Sequence, residues 1–169
     1  VIPAVGTVPN QPSITSSTAA SCRNITINGI LTMSSSNNRS LTVSGNWVNN
    51  GSFIPGISTV TFAGTVAQSI TGGAGNPFYN LTTTNVSATG VTLNNNITVN
   101  NILNFNSSGS GIINTGTNTL IISSGIAPTG ASVSEYVLGN LQRKITGSGT
   151  YKFDIGDASG YTPVTLIFP

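Results

Sequence analysis

A short unit recurs along the chain, and its repetition constrains the fold more than any other feature of the sequence. Each copy has an apolar residue, a Thr and a second apolar residue in a row, followed by an Asn or Gly turn and another short apolar run. The stretches Asn24–Met33, Ser40–Phe53 and Gly90–Phe105 follow this rhythm. Self-similarity at this scale is typical of solenoids, in which each repeat buries its apolar side chains against the next repeat.

The alternation of apolar and polar residues predicts short β-strands with every second side chain pointing inward. From Asn24 to Ile122 such runs are only three to five residues long, which favours stacked coils over independent hairpins. We therefore predict an all-β fold, a parallel β-helix of about five coils over residues 22–127, at about 20 residues per coil. Gly and Asn are expected at the corners because they tolerate unusual backbone angles, and stacked Asn side chains are expected to form ladders.

Composition excludes several other classes of protein. Thr, Ser, Asn and Gly make up about half of the 169 residues, and this mixture disfavours helices. Only 5% of the residues are charged and none is His, so little material exists for acid/base catalysis or a His-based metal site. We expect no enzyme activity, no catalytic residue and no organic cofactor. Arg143–Lys144 is the one adjacent basic pair, which predicts no nucleic-acid partner, and no apolar run is long enough to insert into a membrane.

Residue composition and charge divide the chain into three parts. Residues 1–21 are rich in Pro, Ser and Thr, and are predicted to be a linker or the tail of a preceding domain. Residues 22–127 are the predicted β-helix. Residues 128–169 carry six of the eight charges and are expected to be a cap or the start of a following, truncated β domain. Because the chain opens at Val1 and stops just after a strand-like run, we expect a piece of a longer protein.

Two motifs carry a resemblance to a known family. One runs from Val60 to Gly72 (VTFAGTVAQSITG) and continues from Phe78 to Thr82 (FYNLT). The other comprises Ser132–Arg143 (SVSEYVLGNLQR), Phe153–Asp157 (FDIGD) and Tyr161–Thr165 (YTPVT). They are similar to the repetitive β-helix regions of large Bacteroidetes cell-surface proteins exported by the type IX secretion system, which include gliding-motility adhesins. Residues 22–168 share this similarity.

The resemblance implies more than the residues show by themselves. It implies a right-handed β-helix and an extracellular, cell-surface location. It also implies a non-catalytic structural or adhesive role, as a stalk or adhesin repeat. The implied partners are flanking segments of the same long polypeptide, neighbouring copies in a filament, and surface glycans. Glu135 and Asp154 depart from the family pattern, which often has Gly and Pro at these places.

Few residues are candidates for a specific site. Asp154 and Asp157 are the one close pair of carboxylates, and with nearby Gly turns they form a weak Ca²⁺ candidate; turn capping and a local ion pair with Lys152 are the alternative. Cys22 is the single cysteine, expected to be a small buried side chain unless it pairs with a segment outside this sequence.

Two binding alternatives remain open from the sequence. A carbohydrate-binding module would use exposed aromatic rings, for which the candidates are Trp47, Phe53, Tyr79, Tyr136, Tyr151 and Tyr161. An ice-binding module would use rows of Thr on one side of a solenoid. Three Thr groups have the required spacing within a strand, namely Thr59 with Thr61, Thr82 with Thr84, and Thr115 with Thr117 and Thr119. Their separations along the chain do not share one period.

Overall fold

The fold is all-β. The structure, a computed structural model, describes residues 1–72, 77–106 and 109–169. Within these residues there are nineteen strands and no helix. In chain order the strands are β1 (Ser13–Ile14), β2 (Ala20–Cys22), β3 (Ile25–Ile27), β4 (Ile30–Met33), β5 (Ser40–Val43), β6 (Trp47–Asn49), β7 (Ser52–Ile54), β8 (Thr59–Phe62), β9 (Gln68–Gly72), β10 (Asn80–Thr83), β11 (Val91–Leu93), β12 (Ile97–Val99), β13 (Leu103–Phe105), β14 (Ile113–Ile122), β15 (Val137–Arg143), β16 (Gly149–Phe153), β17 (Ile155–Asp157), β18 (Gly160–Tyr161) and β19 (Val164–Phe168).

The strands stack in parallel into three columns, and the chain visits the columns in the same order in each turn. The first column holds β1, β4 and β7 near one end, and β12 with the second halves of β14 and β15 near the other. The second holds β2, β5, β8, β10 and β13. The third holds β3, β6, β9, β11, the first halves of β14 and β15, and β17. This is the predicted β-solenoid, with about six turns.

The register places like residues above one another, so each turn buries its apolar side chains on those of the next turn. In the second column, Leu41, Val60, Leu81 and Leu103 are consecutive partners, and each is at most 3% exposed. The residues between them along each strand point outward, because side chains alternate across a strand. The buried residues form one continuous hydrophobic cluster.

The stack extends beyond the boundaries expected at residues 22 and 127. Within the predicted linker, β1 and β2 pair with the next turn, and Ile2 forms a bridge with Ile27. After Ala127, β15 continues the pairing of β14, and β17 continues that of β15. These additions account for about six turns where about five were expected. They arise because backbone pairing, not local composition, decides which residues join a parallel stack. Right-handed winding stays a prediction.

The corners use Gly and Asn for different physical reasons. Every described residue with a positive φ is a Gly, so the expectation that Asn adopts such angles is wrong. Gly90 shows the need for Gly: its φ is 67°, and a Cβ there would collide with the carbonyl oxygen of Ile112 in the next turn. Asn instead bonds across turns, as where Asn50 Nδ2 donates to Asn28 Oδ1 at 2.9 Å. The predicted Asn ladders are therefore confirmed.

A different arrangement follows the last parallel turns. β16 and β19 form a separate two-stranded antiparallel sheet, and β18 pairs antiparallel with β17. The inward position that Ile122 occupies on β14 is taken on β15 by its partner Arg143. The guanidinium of Arg143 lies over the rings of Tyr151 and Phe153, at 5.8 and 5.6 Å from their centroids. The end of the apolar column is thus covered by a cation and two aromatic rings.

Candidate functional surface

The two carboxylates of the Ca²⁺ candidate have separate protein partners. Asp154 is 5% exposed, and its Oδ1 accepts a bond from the Tyr161 hydroxyl at 2.6 Å and pairs with Lys152 Nζ at 2.8 Å. Asp157 is exposed, and its Oδ1 accepts from the backbone N–H of Ser159 at 2.7 Å. This corresponds to the alternative weighed from the sequence, an ion pair and a turn cap. In the described part of the chain, no three His, Cys, Asp or Glu side chains gather as a metal site would require.

Arg143, Lys152, Asp154 and Tyr161 form what we call the terminal charge cluster. Its contacts change the acidity of its members. The hydrogen bond with Asp154, and then that with Tyr161, raises the pKa of Lys152 well above its usual value. Burial, followed by the bond to Asp154, raises the pKa of Tyr161. Burial lowers the pKa of Arg143, and Asp154 opposes that shift. Arg143 donates to the carbonyl of Lys152, and Asp154 bonds both Lys152 and Tyr161, so the cluster joins β15 of the solenoid to the terminal strands.

The aromatic residues do not make a sugar-stacking platform. Trp47 and Phe53 are 2% and 3% exposed, and their ring centroids lie 4.9 Å apart in the core. Phe62 and Phe78 complete this interior aromatic cluster. Tyr136 is buried as well. The remaining candidates are only partly exposed: Tyr79 lies in the solenoid, and Tyr151 and Tyr161 lie in the terminal region.

The Gln of the first family-like motif has a structural role at a corner. Gln68 is 2% exposed; its Nε2 donates to the carbonyls of Val43 and Gly45, at 3.0 and 2.5 Å. Its Oε1 accepts from Gly64 N at 2.7 Å and from Asn85 Nδ2 at 2.9 Å. One buried amide thus closes the loop between β8 and β9 and joins three turns. The Gln of this motif therefore has a structural role in the fold.

Small, uncharged side chains cover the outer face of the second column. In β5, β8 and β10 and the residue after each, nine outward positions lie in three rungs of three, which we call the hydroxyl array. Their alignment follows from the backbone pairing of the three strands and from the bonds of Ala63 N and Thr84 N to the preceding turn. The nine residues are Ser40, Thr42 and Ser44; Thr59, Thr61 and Ala63; and Asn80, Thr82 and Thr84. Seven of the nine therefore carry a hydroxyl group.

Two of the three predicted Thr groups meet in this array and the third does not. Thr59 and Thr61 stand one turn from Thr82 and Thr84, with Thr61 and Thr82 directly paired. Thr115 is fully buried instead, and its hydroxyl bonds Leu138 O and Asn140 N. Thr spacing alone does not reveal the array, because Ser40 with Thr42 and Asn80 with Thr82 complete its rungs.

The two edge rows of the array bond to the protein, whereas the middle row does not. Thr59 Oγ1 donates to Asn38 Oδ1 at 3.3 Å and accepts from Asn80 Nδ2 at 3.2 Å. Thr84 Oγ1 donates to Phe62 O at 3.4 Å. The middle row consists of Thr42, Thr61 and Thr82, and within the described ranges none of its hydroxyls has a hydrogen-bond partner. The middle row is therefore available for an external partner.

Comparisons with known proteins identify no relative: no family model, no curated protein and no solved structure matches the chain. The parts of the chain described here include no helix that is long and apolar enough to cross a membrane. Cys22 is free and half-buried, and burial raises the pKa of its thiol. The fold class and the surface geometry are thus the whole basis for a functional proposal.

Proposed function

We propose that this chain is a non-catalytic, rod-forming segment of a large secreted protein at the bacterial cell surface, acting as a stalk or an adhesive repeat. The observation that carries the proposal is the set of in-register parallel columns that run through about six turns. Successive turns are joined by backbone bonds in two or three of the columns and by stacked apolar side chains. Such a stack resists bending and extends by adding turns, as a spacer requires.

The surface chemistry supports exposure to a medium of variable salt and pH. Between residues 22 and 127 the charged side chains are Arg23 and Arg39 alone. Interactions that involve no charge are neither screened by salt nor titrated. The proposed partners are flanking segments of the same polypeptide, neighbouring copies in a filament and, for an adhesive repeat, surface glycans.

Force spectroscopy on the chain held between reference domains tests the mechanical role. The bonds between turns lie along the rod axis, so we expect the turns to separate one after another. Inter-turn side-chain bonds join residues about 22 positions apart, so each step should release about 75 Å of chain. Extension of the whole segment at negligible force, without steps, would contradict a load-bearing role.

A glycan array separates the two forms of the proposal. A stalk should retain no glycan above background, whereas an adhesive repeat should retain a defined set.

Electron microscopy of the intact parent protein adds a direct check of shape, since a rod segment should appear as part of a filament or stalk. A compact, globular parent particle would contradict both forms.

A further inference from the structure

We propose that the hydroxyl array is an ice-binding surface, a role that goes beyond that of a rod or adhesive repeat. The first observation is its two-dimensional regularity. Neighbouring parallel strands lie about 4.8 Å apart, and alternate residues of a strand are about 6.6 Å apart. Pairing of Thr42 with Thr61 and of Thr61 with Thr82 keeps both repeats in register across three turns. The array therefore presents hydroxyl groups in a regular two-dimensional pattern and not as scattered polar side chains.

The second observation is independent of this regularity and concerns Thr82. Its side chain is only 9% exposed, yet its hydroxyl has no hydrogen-bond partner among the described residues and still reaches solvent. Because this hydroxyl faces solvent, it can donate a hydrogen bond to water and accept one from it. It is therefore available to an external partner at the outer face of the array.

The array is also preorganised for binding a rigid ligand. Thr is stiff about χ1 because it is branched at Cβ, and the hydrogen-bonded edge rows fix the strands on both sides of the middle row. Little side-chain entropy is lost when such groups bind. Each Thr hydroxyl both donates and accepts, as does each water of an ice surface, and each Thr adds a methyl group that favours ordered water around it.

The chemistry of the array favours ordered water over other ligands. Its nine residues carry no charge, so an uncharged solid complements it better than a polyanion or an ionic surface. Sugar recognition relies on aromatic faces and free amides, but Trp47 and Phe53 are buried. The amide of Asn80 is already bonded to Thr59, to Asn101 and to the backbone N–H of Ile102.

Ice affinity and thermal hysteresis measured on the full chain test this proposal. The wild-type chain should be taken up into slowly growing ice and should depress the freezing point below the melting point. Thr61→Tyr places a large ring in the middle row and should abolish both effects, and Thr42→Tyr should do the same. The matched control is Thr98→Tyr, at an outward position of the first column, which should leave both effects unchanged.

Several results would overturn the assignment. Exclusion of the wild-type chain from ice would do so, as would equal loss of uptake in Thr98→Tyr. Retention on crystalline cellulose or chitin without ice uptake, abolished by Thr61→Tyr, would identify a glycan surface instead. Unfolding midpoints measured by the fluorescence of Trp47, the single Trp, establish that each variant is folded. The force measurement does not involve the array, so it can fail or succeed independently.

Discussion

The solenoid body (residues 13–127) and the terminal region (residues 128–169) solve the same problem by different means. In the body, each apolar layer is covered by the next turn, and the polar bonds are between backbone groups or neutral side chains. In the terminal region, a layer ends without a following turn, and Arg143 with its two aromatic neighbours covers it. The lesson is that a repeating stack needs charge only where repetition ends.

The largest expected effect comes from emptying the aromatic cluster of the body. Trp47 contacts Phe53, Phe62 and Phe78 in the core, so Trp47→Ala should lower the free energy of unfolding by about 3–5 kcal/mol. Urea unfolding followed by far-ultraviolet circular dichroism measures the change. The control Val48→Ala alters the adjacent, half-buried outward residue and should cost much less. Similar losses in both variants would argue against a layered core.

A smaller loss is expected at the corner that the buried amide closes. Gln68→Met keeps the approximate size but leaves Gly64 N without its acceptor and two carbonyls without their donor. Each unsatisfied buried group costs about 1–3 kcal/mol. Because the corner can shift so that water reaches these groups, we expect the free energy of unfolding to fall by about 3 kcal/mol in total. Gln142→Met, at an exposed position, is the matched control. Equal midpoints for the two variants would show that the corner tolerates loss of the amide.

The terminal region should respond locally to loss of its buried cation. Arg143→Met keeps an apolar stem but removes the bond to Lys152 O and both cation–π contacts. Charged hydrogen bonds contribute about 1.5–3 kcal/mol, and the easier burial of Met offsets part of this loss. Hydrogen exchange should therefore speed up in β16 and β19 while β5, β8 and β10 stay protected. The control Lys144→Met alters an exposed residue and should leave hydrogen exchange unchanged in both groups of strands.

The smallest effects concern pH, and here the two regions should differ in the size of the response. The body should keep its unfolding midpoint from about pH 5 to pH 9, because it holds almost no titratable groups. The fluorescence of Trp47, which lies in the core of the body, measures this unfolding midpoint. A midpoint that moves strongly within this window would contradict the comparison.

Alkaline conditions should loosen the terminal region most, with a smaller effect in β2 of the body, where burial raises the pKa of the Cys22 thiol. The pKa of Lys152 is raised, mainly by Asp154, and that of Tyr161 is raised, mainly by burial. A raised folded pKa gives stability that is complete below the unfolded value and is lost as the pH rises toward the folded one. Unfolded values are about 10 for both groups, so loosening should begin above about pH 10. Tyr151, whose pKa a bond from Thr146 lowers, opposes this weakly at the surface. Methyl resonances of Leu166 measure the change.

Much of the solenoid was predictable because its information is local. The alternation in Ser40–Val43 and Val91–Leu93 requires short strands with one buried side, and repetition of the unit requires stacking. Pairing of the N-terminal residues was not predictable, since the Pro- and Ser-rich run around β1 has the composition of a linker. The strand Ser52–Ile54 was missed because Gly51 and Pro55 bound it closely.

The hydroxyl array was not predictable for a different reason. The turns that separate Thr42, Thr61 and Thr82 differ in length, so no fixed period relates them along the chain. Loops at the corners absorb this variation, while backbone bonds hold the strands in register. The terminal charge cluster was foreseen only as an ion pair beside Asp154; the bond from Tyr161 links β18 to the residue between β16 and β17.

The sequence by itself determined the class of fold, the approximate length of a turn and the scarcity of charge, because alternation and composition act over a few residues. Only the tertiary structure decided where the stack begins, which Thr residues stand side by side, and how the last apolar layer is covered. Those outcomes depend on hydrogen-bond register between turns, and register is a property of pairs of segments that no single segment contains.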